Sequence, residues 1–163
     1  MPTELLPRPA PDGSVDLDDP IAVVEAFLAA AADGDAALAA SFVADDILYV
    51  NVGLPAIRGL REVEKVLHMM DRPGAGFEVY LHATSAEGPV VLTERTDVLL
   101  IGRARIQFWV WGRFEVRDGK IVLWRDSFDF LDVLRGTVRG LLGVVFPVLR
   151  PRPPAHMDIP PGR

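Results

Sequence analysis

Residues 104–117 read "ARIQFWVWGRFEVR". Their even positions, Ala104, Ile106, Phe108, Val110, Gly112, Phe114 and Val116, make an unbroken apolar series. Their odd positions are Arg105, Gln107, Trp109, Trp111, Arg113 and Glu115. A period of two is the signature of a strand with one face in a core. The even face is therefore the inner one. Two tryptophans on the outer face are unusual for a solvated surface and point to a partner subunit there.

Outward from this strand, the chain falls into helices followed by strands. "DDPIAVVEAFLAAAADGD" offers Asp19 as N-cap and Pro20 at the first helical position, with Val23, Val24, Phe27, Leu28 and Ala31 at helical spacing and Gly34 as the stop. "DAALAASFV" reads as a short helix capped by Asp35, and "GLREVEKVLHMMD" as a third helix. Residues 45–52 form a strand, and further strands are expected over about 76–86, 89–101 and 120–130. Asp118-Gly119, between two β-rich runs, signals a tight hairpin. Leu131, Leu134, Val138, Leu141, Leu142 and Val145 recur at helical spacing, so an amphipathic helix is expected over about 131–146, covering the mouth or rim of the fold. Residues 1–17 are expected to be a flexible arm, 18–150 a single domain and 151–163 a Pro-rich tail. Helices first and a strand meander after them give an α+β fold, helices packed on one face of the sheet.

Bulk properties narrow the function. The chain has 163 residues, half of them hydrophobic, and a net charge of −6. That balance excludes a general nucleic-acid binder. There is no cysteine, hence neither a disulfide nor a thiolate metal site, which fits the cytoplasm. His68, His82 and His156 are scattered without a ligand pattern and read as surface or helix-face residues, so no metal or organic cofactor is implied. The Arg residues beside the C-terminal apolar face leave membrane contact as a lesser alternative for that helix.

The ionisable residues in the strands carry the chemistry. Strand neighbours two apart share a face. Arg95 and Asp97 lie with Val91, Thr93, Leu99 and Ile101 on the inner face, while Glu94 and Thr96 point outward. Tyr49 pairs with Asn51, and Val122, Trp124, Asp126 and Phe128 share a face. Two carboxylates in an apolar cup must be paired or protonated. Arg95 is the available cation and can bridge both. A trio of this kind can hold one carboxylate ionised and the other protonated, a base beside an acid. Read singly, Arg95 and Asp97 could be a structural ion pair, Tyr49 a core-edge tyrosine and Asp126 a solvated carboxylate at a strand edge.

"LYVNVGLP", "TERTDVL" and "WRDSFD" resemble, in order and spacing, the limonene epoxide hydrolases of the NTF2-like (SnoaL-like) superfamily. The resemblance spans most of residues 20–130. It implies a cone of curved mixed or antiparallel sheet wrapped by the N-terminal helices around a deep apolar pocket, and a homodimer across the outer sheet face, in agreement with Trp109 and Trp111. It implies cofactor-independent addition of water to a lipophilic epoxide, a detoxification chemistry. Asp126 would be the base, Tyr49 and Asn51 would hold the water, Asp97 would be the acid and Arg95 the bridge. Parity places Leu99, Phe108, Val110 and Trp124 in the substrate wall, and the resemblance adds Met70 and Val79. Ser127 stands where the family has an aromatic, and parity turns it outward. The segment after residue 130 is longer and more apolar than the family minimum, so a bulkier fatty or sterol-like epoxide is expected if that helix enlarges the cavity. A ketosteroid-isomerase-like enzyme, a polyketide cyclase or a lipid-binding module could use the same cone. An isomerase, however, has no use for an arginine between two carboxylates.

Overall fold

The structure is a computed structural model that describes residues 14–154. The expected arm is described only from Ser14 and the tail only to Pro154, and the rest of both, with His156, lies outside the described residues. Val15, within the expected arm, packs against the core.

Helix α1 spans Pro20–Ala32, with Asp19 accepting from the Ile21 amide at 2.9 Å. Helix α2 spans Ala36–Ser41, with Asp35 accepting from the Leu38 amide at 2.9 Å. Both caps satisfy amides that the first helical turn leaves without a partner. Strand β1 (Val43–Asn51), the short β2 (Ile57–Arg58) and helix α3 (Leu60–Met70) follow. Strands β3 (Ala75–Glu87), β4 (Val90–Ile101), β5 (Ala104–Arg117) and β6 (Lys120–Ser127) complete the sheet. Its order is β2-β1-β6-β5-β4-β3, antiparallel except for the parallel pair β1–β6. The hairpin between β5 and β6 turns on Asp118 and Gly119, both at positive φ (51° and 71°), as its sequence demands.

The even face of β5 is the inner one. Phe114 is fully buried, and Phe27 of α1 meets it edge-on at 6.3 Å and meets Trp124 at 5.0 Å. Helix α1 thus seals one part of the concave face with Val23, Val24, Phe27 and Leu28, none of them exposed. On the outer face, Trp109 and Trp111 are exposed as expected. Thr96 departs from the expectation. It is 4 % exposed and its hydroxyl lies 2.8 Å from His82 Nε2. His82 is a half-buried strand residue whose ring stacks on Trp109.

The C-terminal part differs from its sequence reading in two ways. The last strand stops at Ser127, not 130, because the Asp129 side chain accepts from the Leu131 and Asp132 amides and starts helix α4 (Phe130–Val145). The short β6 leaves residues 104–110 of β5 unpaired on one side, since the β5–β6 ladder begins at Trp111↔Ser127. Helix α4 lies along that edge. Asp132 accepts from the Trp109 amide at 2.9 Å, which supplies one partner an open edge lacks. The buried stripe of α4 is Gly136, Gly140 and Gly143, not the leucines and valines. A Cβ on Gly136 would sit 2.4 Å from the Gln107 carbonyl oxygen, and one on Gly140 2.5 Å from that of Arg105. Backbone meets backbone here because there is no side chain to hold them apart. The apolar face is turned outward, with Leu134, Leu141 and Val145 at 58 %, 57 % and 70 % exposure. Among the described residues no helix is long and apolar enough to cross a membrane.

A branched side chain at this contact should overpack it. Gly136→Val is expected to lower stability by about 1–3 kcal/mol in urea unfolding followed by tryptophan fluorescence. An unchanged midpoint would mean that the helix is not seated on the strand edge.

Candidate active site

The register of four strands assembles the site. Thr93 of β4 is opposite Gly112 of β5, Gly112 is opposite Asp126 of β6, and Asp126 is opposite Asn51 of β1. One row along β4 lies Arg95 opposite Val110, and one row further Asp97 opposite Phe108. The other flank of Asp126 carries Tyr49 opposite Trp124, their rings stacked at 3.9 Å. All five sequence-predicted polar residues therefore converge on one inner face.

Arg95 is the centre of the group and has no exposed surface. Its Nε donates to Asp97 Oδ1 at 2.8 Å and its Nη2 to Asp97 Oδ2 at 3.2 Å. The same Nη2 lies 2.7 Å from Asp126 Oδ2. Its Nη1 donates to Thr93 Oγ1 at 3.2 Å, and the guanidinium carbon sits 5.8 Å from the Phe114 ring centre. The fork anticipated from sequence is present, with both carboxylates held by one cation. Of the four carboxylate oxygens, Asp126 Oδ1 alone has no protein partner, although it is buried.

Burial dominates the electrostatics of the cluster. Burial raises the Asp97 carboxyl from its ordinary 3.8 to about 6; Arg95 opposes the rise and the Asp126 charge adds to it. Burial alone would favour a neutral Arg95, but the charges of Asp126 and then Asp97 outweigh it and keep the guanidinium ionised. Burial, and next the Asp126 charge, lift the Tyr49 phenol well above its usual range, with the Asn51 side chain opposing through a hydrogen bond. Tyr49 is thus a neutral hydrogen-bonding group.

Two residues that the sequence reading left out of the site are part of it. A Cβ on Gly112 would fall 2.2 Å from Arg95 Nη1 and 2.5 Å from Thr93 Oγ1. The guanidinium therefore lies across Gly112, in a space that an alanine would occupy. The break in the β5 apolar series at Gly112 was the available signal, but only the register says what fills the gap. Thr93 had the right parity, and its role depends on the rotamer of Arg95.

Of the predicted wall, Val79, Val110 and Trp124 are buried, while Leu99 and Met70 are partly buried against the core. Phe108 is half-buried and meets Phe128 edge-on at 5.9 Å, and Phe128 meets Phe130 at 5.3 Å. Phe128 follows Asp126 by parity and joins the wall. Two clefts of about 530 and 510 Å³ flank α4, and the carboxylate cluster lines neither. Buried polar chemistry, rather than cleft size, locates the site. Among the described residues no group of three or more His, Asp or Glu is placed to hold a metal ion.

A carboxyl that titrates higher in the folded than in the unfolded chain stabilises the fold at low pH. For Asp97 that contribution is complete below 3.8 and disappears as pH rises through about 6. Wild-type stability should therefore fall over this window relative to Asp97→Asn, as read from urea midpoints across a pH series. Parallel pH profiles for the two proteins would rule out the raised Asp97.

Comparison with known proteins agrees with this geometry. The family model for the limonene-1,2-epoxide hydrolase catalytic domain matches residues 18–139. Epoxide hydrolase EphG of Mycobacterium tuberculosis is 49 % identical over 127 residues, covering 78 % of this chain and 85 % of EphG. The solved structure of an LEH-like epoxide hydrolase from M. tuberculosis superposes with a TM-score of 0.78 at 47 % identity, over 82 % of this chain and 95 % of that one. An NTF2-like protein of unknown function from Cytophaga hutchinsonii shares only the fold, with a TM-score of 0.58 at 15 % identity over 68 % of this chain and 90 % of that one. With an NTF2-like cone carrying an arginine-bridged carboxylate pair, the chain belongs to the limonene-1,2-epoxide hydrolase family and is an epoxide hydrolase.

Proposed function

We propose that this protein adds water to a lipophilic epoxide in one step, giving a vicinal diol, with no cofactor and no covalent enzyme intermediate. The observation that carries the reading is the bridged pair Asp97–Arg95–Asp126 with one buried oxygen, Asp126 Oδ1, left without a protein partner. In this reading Tyr49 and Asn51 orient a water against that oxygen. Asp126 takes the water's proton as the oxygen attacks one epoxide carbon. The carbon–oxygen bond of the ring breaks, and Asp97 gives its proton to the departing oxygen. Asp126 then carries the proton that Asp97 has lost, and a proton transfer between them restores the pair.

The raised Asp97 carboxyl supports its part as acid, because it keeps a proton up to about pH 6. A buried Arg95 stabilises whichever carboxylate is charged and needs no reorganisation between steps. The apolar wall of Val79, Leu99, Phe108, Val110 and Trp124, with Met70 beside it, suits a substrate with little polarity besides the epoxide. The Asp97 and Asp126 roles predict that Asp97→Asn and Asp126→Asn each reduce turnover by about 100- to 10,000-fold with the fold retained. Diol formation in oxygen-18 water from a panel of terpene and fatty epoxides measures this. A near-normal rate in either variant would remove the assigned role.

We also infer a cytoplasmic homodimer formed across the outer face of the sheet. Trp111, Leu92 and Trp109, exposed at 57 %, 50 % and 38 %, support that surface. Trp111→Arg should shift the solution mass toward one chain in light-scattering measurements, and an unchanged mass would exclude this interface.

A further inference from the structure

Among the described residues, exposed apolar side chains gather at the carboxyl end of α4. After α4, Pro147–Leu149 make one turn of 3-10 helix. Val145, Phe146 and Val148 are exposed at 70 %, 54 % and 91 %, and Ile101, at the end of β4, at 59 %. Contacts bind these elements into one tip. Arg150 Nη2 donates to the Arg103 carbonyl at 3.3 Å, and Arg139 Nε to the Leu149 carbonyl at 3.2 Å. Beside the tip an apolar groove of about 530 Å³ runs between α4 and the 3-10 turn, lined by Leu134, Val138, Leu142 and Leu149 with Arg135 and Arg139.

The charge around this tip runs against that of the chain. From Val133 to Pro154 there are four arginines and no acidic residue, in a protein of net charge −6. Arg103 of the β4–β5 turn adds a fifth. Among the described residues none of the five is in an ion pair. A second copy is a poor occupant. A two-fold interface sets a patch against itself, and here that would bring arginines against arginines. The tip adjoins the tryptophan face on one side, where Trp109, Arg139 and Pro151 line one cleft, and extends away from it. Trp111 and Arg103 are eight residues apart on one extended run, about 26 Å at strand rise.

We propose that the tip formed by Ile101, Val145, Phe146 and Val148, ringed by Arg103, Arg139, Arg150 and Arg152, docks on an anionic lipid surface. The apolar side chains enter the interfacial layer and the guanidinium groups meet the phosphates, the division of labour of an interfacial amphipathic helix. Ile101 lies on the inner face of β4, two residues from Leu99 and four from Asp97, so the docked end of the sheet is the end nearer Asp97. The inference concerns the surface and holds whether or not the carboxylate pair acts as proposed above.

The test is co-sedimentation of the full chain with vesicles of phosphatidylcholine alone and of phosphatidylcholine with phosphatidylglycerol, at low and raised salt. Binding to the anionic vesicles only, weakened by salt, is expected. Arg150→Glu with Arg152→Glu should weaken it by at least about tenfold. Val145→Asp with Val148→Asp should abolish it, with the thermal midpoint and the solution mass unchanged in both variants. Absence of sedimentation, or equal sedimentation with neutral vesicles, would overturn the proposal. So would a drop in solution mass in the Val145/Val148 variant, which would assign the tip to a second copy.

Discussion

The buried guanidinium of Arg95 is the constraint around which the inner face is organised. A cation with no exposed surface is tolerated only where opposite charge and hydrogen-bond acceptors meet its donors. Asp97, Asp126 and Thr93 do so from two strands. Each further requirement follows from that one. The guanidinium needs floor space, and Gly112 provides it. Asp126 must arrive from β6 in register with Gly112, so the β5–β6 hairpin has to turn where it does. Asp97 is held through both of its carboxylate oxygens and Asp126 through one, which leaves Asp126 Oδ1 without a protein partner.

The site was largely legible in the sequence because strands have a strict period. Arg95 and Asp97 share a face by parity, as do Tyr49 and Asn51, because no bulge interrupts either pair. What parity cannot give is the partner across the ladder. Gly112 reads as a gap in an apolar series until the register sets it between Thr93 and Asp126. Phe128 was on the right face, but its part in the wall depends on β6 ending at Ser127 and on the contact with Phe108.

The C-terminal helix shows the opposite case. Its periodicity was read correctly, and 130–145 is helical. The periodicity did not say which side is seated, because amphipathicity says that a helix has two faces and not which one meets the protein. Close approach of the α4 backbone to the β5 carbonyls selects the glycine stripe. The leucines and valines are left outward, which makes that helix a surface in search of an occupant rather than a piece of core. Thr96 is a milder instance. Parity put it outside the core correctly, yet outside the core is not outside the protein, and it is buried with His82 for a partner.

By itself the sequence determined the α+β class, the caps of α1 and α2, the Asp-Gly hairpin and the face on which each ionisable strand residue lies. These are set within a few residues by dihedral preference, capping and period. Only the tertiary structure decided that β6 pairs parallel to β1, that Arg95 reaches both carboxylates at once, and that α4 seats its glycines against a strand edge. Those depend on register and close approach between segments far apart in the chain, which local patterning does not encode.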